Sequence, residues 1–207
     1  MVAMNIESNS RESGMPGFLV DPFIPVQTSD NPRFLRLCAA VIQSLIAISL
    51  VGAVLTILYV LLGSDISQAE IVVLSGGTIA PILGCLFIRL TGNVDGAVVL
   101  TNAAGVVFVS IFAYETAGIY SPGIPLLFGF LVMAAGYGRG KVTVITLLMN
   151  SFAILILFTL GEYNLLPADR ISEEDRNIFT LLGLLVLISF TSISLYFQSR
   201  AWRTHRI

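Results

Sequence analysis

Between Arg36 and Asp65 no charged side chain interrupts the sequence. The stretch FLRLCAAVIQSLIAISLVGAVLTILYVLL, Phe34 to Leu62, exceeds the roughly 20 apolar residues a helix needs to cross about 30 Å of hydrocarbon. Five more apolar runs follow, over residues 69–90, 96–114, 122–137, 142–160 and 178–197. Composition agrees, with 56% apolar residues and only 12% charged ones, about half the charge of a soluble domain. The mean hydropathy is +0.89. The pattern predicts an all-α, polytopic integral membrane protein: a six-helix transmembrane bundle of three helical hairpins, embedded in the lipid bilayer over residues 34–199. Residues 1–33 form a cytoplasmic tail, expected to be mostly disordered, and residues 200–207 a helical exit into the cytoplasm. The fourth run is the shortest and needs the rest of the bundle to support it.

Six spans place both termini on one side, and the basic residues select it. With a cytoplasmic amino terminus, Arg11, Arg33, Arg36, Arg89, Arg139, Lys141, Arg200, Arg203 and Arg206 face the cytoplasm, and only Arg170 and Arg176 lie outside. That bias follows the positive-inside rule. The net charge of −2 provides no basic field for nucleic acid. Cys38 and Cys85 fall within apolar runs and read as buried thiols, not as a disulfide or metal pair. The single histidine, His205, has no convergent partners for a metal.

Charged side chains are missing from the middle of every span, which weighs against a proton pump, an ion-coupled carrier or a charge relay. Uncharged polar residues remain. Gln43, Asn102 and Asn150 on spans one, three and five, with Ser189 and Ser192 on span six, are expected at similar depth in the inner half of the bundle. They form one intramembrane polar layer, read as interhelical hydrogen bonding in preference to a ligand site. Small residues recur every fourth position: Gly76, Ala80 and Gly84 on span two, Ala97, Thr101 and Gly105 on span three. Such stripes let backbones approach closely, so these two spans are expected to pack tightly; homodimerisation is the other use of the pattern. Motifs for nucleophilic, zinc or phosphate-loop chemistry are absent, and GYGRGK at 136–141 reads as a short inner turn, so no catalytic residue and no metal site is assigned.

The connection between spans three and four, TAGIYSPGIP, places two prolines and two glycines within residues 116–125. Gly118 and Gly123 suit a tight reversal. Ser121 is expected to cap a new helix with Pro122 in its first turn. SGGTIAP (75–81) echoes TAGIYSP (116–122), but inside a span, where Pro81 would kink the helix.

TAGIYSPGIPLLFGFLVMAAGYGRGK, Thr116 to Lys141, resembles the corresponding part of the six-span sensory or anchoring regions of bacterial membrane histidine kinases and nucleotide cyclases. The shared features are an outer Gly-x-x-Ser-Pro turn, a basic inner turn, and a last helix that leaves into the cytoplasm. The resemblance implies an inner-membrane location and a signalling role in which the last helix drives an output beyond Ile207. The redox-responsive kinases among these proteins carry a similar turn, Gly-Gly-x-x-Asn-Pro-Phe, implicated in quinone binding. Gly118 and Pro122 match it, whereas Ala117, Ser121 and Gly123 replace its Gly, Asn and Phe. No cofactor is therefore assigned, quinone being the one the resemblance suggests. Glu115, Gly118, Tyr120, Ser121 and Pro122 are the candidate ligand-binding residues. The expected function is that of a membrane sensory or anchoring domain working on a cytoplasmic signalling partner. The alternatives are a structural subunit or assembly factor that binds another membrane protein, and a small transporter.

Overall fold

The computed structural model describes residues 17–25, 32–62, 68–116, 118–121, 123–136 and 140–167, with scattered helical positions between 180 and 196. The first 16 residues, Pro122, nine of the 20 positions in the sixth apolar run and the exit at 200–207 lie outside the described residues.

All regular structure among the described residues is helical, as a chain in hydrocarbon requires if it is to satisfy its own backbone polar groups. Five long helices follow one another: α1 (Pro32–Leu62), α2 (Gln68–Thr91), α3 (Val94–Glu115), α4 (Ile124–Gly136) and α5 (Gly140–Glu162). Four of them, all but α4, are long and apolar enough to cross a membrane. At 13 residues, α4 extends only about 20 Å. It packs against α3 and α5, which supply the support its length demands. α3 is central, touching α2 on one side and α4 and α5 on the other, while α1 packs on α2.

The helix ends follow from local chemistry. Gly92, at φ +65°, closes α2. Asn93 then caps α3, its side chain accepting from Gly96 N at 2.9 Å. Just past the end of α5, Asn164 has a φ of 53° that allows its N–H to reach Gly161 O at 3.0 Å while Leu165 N reaches Leu160 O at 2.9 Å. That pair of bonds is a Schellman closure, with Asn in the position glycine usually takes. α2 runs unbroken through Pro81, which lacks the N–H that Gly77 O would receive. Close by, Ser49 of α1 donates to Thr78 O at 2.7 Å, tying α1 to the same stretch of α2.

Two apolar clusters hold the bundle. The larger lies at the end where α1 begins and joins Cys38, Ile42 and Leu45 to Cys85, Ile88, Val98, Met133 and Val142. The smaller joins Val106 and Val109 of α3 to Leu127 and Ala153. Residues 17–25, assigned from sequence to a mostly disordered tail, depart from that expectation. Gly17–Val20 forms one α-helical turn and Asp21–Phe23 a 3-10 turn, and Val20 is buried in the larger cluster. Arg89 Nη1 donates to Pro22 O, fastening this segment to the end of α2. The prolines do exclude a long helix here, but two short turns suffice to insert one valine.

Candidate functional site

Five buried polar side chains lie at one level of the bundle. Gln43 (3% exposed), Asn102 (0%), Thr101 (4%), Thr146 (0%) and Asn150 (5%) all sit in the interior. Counting about 1.5 Å per residue from the end where α1 begins, this level is roughly 9–17 Å deep. Helix contacts confirm the alignment: Cys85 Sγ faces Ile42 O at 3.9 Å, and a Cβ built on Gly84 would meet Thr101 Oγ1 and Leu45.

The two asparagines do parallel work on α4. Asn150 Nδ2 of α5 donates to Leu127 O at 2.6 Å. Asn102 Nδ2 of α3 donates to Thr146 Oγ1 at 3.1 Å and more weakly to Phe130 O at 3.5 Å. A helical carbonyl keeps a second lone pair after its i+4 bond, so α4 accepts these amides without giving up its own ladder. The shortest helix is thus gripped from both neighbours by side-chain amides. Such bonds contribute about 0.6 kcal/mol each in a membrane interior.

The grip leaves atoms over. Among the described residues, no hydrogen-bond partner reaches Asn102 Oδ1, Asn150 Oδ1, Gln43 Nε2 or Thr101 Oγ1, although all four are buried. An unmet polar atom in an apolar interior costs about 1–3 kcal/mol. Ser189 and Ser192, expected in the same layer, lie on helical positions but are exposed, so they are not buried with the amides. Thr146 takes the place the sequence reading gave to serines. Its signal was available in the buried stripe Val142, Thr146, Asn150, Ala153 and Leu157, which follows helical spacing along α5.

The small-residue stripes divide their roles. Gly84 lies against Thr101 of α3, and Gly76 lies against the ring of Phe108, so both bring α2 close to α3. Ala80 and Ala97 are buried. Gly105 instead receives the ring of Phe130 and therefore serves the contact with α4.

At the opposite end, the turn between α3 and α4 is tightly folded. Gly118, at φ +62°, opens a 3-10 turn (Gly118–Tyr120) that packs on α3 and α5. Leu166 covers the face of Gly118 where a side chain would project. Thr116 Oγ1 donates to Phe112 O at 2.6 Å, so in the 2.7 Å contact between the two hydroxyls Ser121 is the donor. Ser121 Oγ in turn accepts from Gly123 N at 3.1 Å. This chain of bonds uses the proton of both hydroxyls, and the α-helix starts at Ile124, later than the Pro122 start expected from sequence. Of the candidate ligand residues, Pro122 lies outside the described residues and the other four differ in exposure. Gly118 and Ser121 are buried, Glu115 is half-buried at the end of α3, and Tyr120 projects outward at 77% exposure.

Tyr114, Tyr120 and Tyr163 are all exposed at this end, the arrangement of an aromatic belt at a headgroup boundary. Among the described residues, no group of three or more His, Cys, Asp or Glu side chains is placed to hold a metal. No protein-family model matches the chain, and no curated protein or solved structure is detectably similar to it.

Proposed function

We propose that the chain is the sensory or anchoring domain of a bacterial signal-transduction protein of the histidine kinase or nucleotide cyclase type. In this reading six spans, paired as three hairpins, cross the inner membrane with both termini in the cytoplasm. A shift within the bundle passes through the last helix to a cytoplasmic output. The observation that supports it best is the suspension of α4. This helix follows the compact Thr116–Ser121 turn and accepts amide bonds at Leu127 in its first turn from Asn150 and at Phe130 near its middle from Asn102. A stimulus that moves the turn has a direct mechanical route into α4, and the bonds resisting it are weak and exchangeable. The interior polarity fits as well, because the described spans carry charges only near their ends.

The test is a chimera with a reporter histidine kinase joined after the last helix. Replacing Asn102 and Asn150 with alanine, or Gly118 with valine, is expected to change reporter output several-fold at equal membrane abundance. An output indifferent to all three substitutions contradicts the reading.

The alternative of a structural subunit draws on one feature, the stripe Leu50, Val54, Ile57 and Leu61 along the second half of α1, which is apolar and exposed. Purification in mild detergent separates the two readings. A stoichiometric complex with another membrane protein favours the subunit, and a homodimer favours the sensor.

A further inference from the structure

We propose that the junction of α3, α4 and α5 is a hydration site, in which bound water donates hydrogen bonds to Asn102 Oδ1 and Asn150 Oδ1. The inference is independent of the signalling role and starts from which end of each amide faces where. Asn150 Nδ2 points at Leu127 O and Asn102 Nδ2 at Phe130 O and Thr146 Oγ1. A backbone carbonyl only accepts, so turning either amide over would set two oxygens against each other. Chemistry therefore fixes the nitrogens on α4 and the oxygens away from it. Both oxygens are buried, and among the described residues neither meets a donor.

The chemistry of the occupant follows. Asn102 Oδ1 and Asn150 Oδ1 are both acceptors. The occupant therefore has to donate hydrogen bonds. Lipid tails have no donor, and a quinone carbonyl, which only accepts, leaves both asparagine oxygens unmet. Water donates two hydrogen bonds from one heavy atom and is the usual partner of such groups in protein interiors. Its consequence is mechanical: when α4 moves, water can take over the bond an amide loses, so the junction re-forms in a shifted position instead of breaking.

Radiolytic hydroxyl labelling of the full chain in lipid nanodiscs tests this, because radicals formed from bound water mark the side chains beside it. Phe130, whose carbonyl takes the Asn102 amide, is half-buried, and Met133, one turn further along α4, is fully buried. In the unmodified chain both are expected to be oxidised despite their burial. On transfer into water enriched in heavy oxygen, their label should take up the isotope more slowly than that on exposed Tyr120. The double substitution Asn102→Leu with Asn150→Leu should reduce labelling at Met133 and Phe130 several-fold and leave Tyr120 and Tyr163 unchanged. Absence of label at Met133 and Phe130 in the unmodified chain would mean a dry junction and overturn the proposal without recourse to any variant. Isotope uptake as fast as at Tyr120 would overturn it too, since the water would then be bulk solvent. So would labelling that survives the double substitution with the tyrosine pattern intact.

Discussion

Gly77 and Gly84 stand on the same helix, yet their surroundings differ completely. A Cβ on Gly84 would strike Thr101 Oγ1, whereas one on Gly77 meets nothing within 4 Å. Gly84→Ala is therefore expected to destabilise the bundle by about 1–3 kcal/mol through overpacking. Gly77→Ala should be neutral or stabilising by up to about 1 kcal/mol, since it only removes backbone freedom. Thermal unfolding of the two variants in the same detergent checks the pair, and equal effects would show that α2 and α3 do not meet at Gly84. The four-residue spacing made Gly84 legible as a packing residue, because periodicity reports which residues share a face. It does not report which neighbour that face meets, so the partner of Gly105 emerges as Phe130 of α4 and not a residue of α2. The same limit applies to the polar layer. Gln43, Asn102 and Asn150 were identifiable as uncharged polar residues in apolar runs, but Ser189 and Ser192 share that description and are exposed. Depth can be counted along a helix; the direction a side chain faces depends on the neighbours.

At the scale of elements, α4 carries the most specific expectations. It is too short to be held by apolar contact along a full span, and Asn150 supplies one of its fixed points. Asn150→Ala should lower stability by about 0.6 kcal/mol, and by no more than about 2, by analogy with interhelical bonds in other membrane bundles. A denaturant titration in mixed micelles measures it, and a larger loss would mean that Asn150 organises more than α4. The docked segment 17–25 makes a second element-scale prediction. Val20→Asp would place a carboxylate in the cluster around Cys38 and Ile88 and is expected to release the segment. Arg89→Ala should loosen it less. Limited proteolysis near Phe23 reads both, and unchanged protection in Val20→Asp would contradict the docking. The bounds of the five described helices lie within a residue or two of the corresponding apolar runs, because run length in apolar sequence is a strong signal. The turn at Gly118 was legible as a reversal. Its hydroxyl chain was not, since it depends on Thr116 and Ser121 being folded face to face across the turn. The docking of Val20 was equally hidden, because one valine between two prolines carries no periodicity.

For the molecule as a whole, the surface identifies the surroundings. Leu61, Leu90, Leu148, Phe152 and Leu155 are all more than half exposed, and they are a sample of an apolar exterior that runs along several helices. A soluble monomer does not expose contiguous apolar area of that extent, so the surroundings are lipid. Exposed tyrosines mark one boundary of that layer, and Arg89 and Lys141 lie at the other. The direction in which the bundle crosses the membrane rests on the distribution of arginine and lysine, and it is the premise on which the proposed relay to the cytoplasm depends. The native thiols Cys38 and Cys85 are fully buried and give little background. Single cysteines can therefore be introduced at Tyr120 and Tyr163, and at Gly140 and Lys141, and treated in intact cells with a membrane-impermeant maleimide. The account predicts labelling at 120 and 163 before the membrane is opened, and at 140 and 141 only after it is permeabilised. Labelling at 140 and 141 from outside, or no difference between the two pairs, would contradict it.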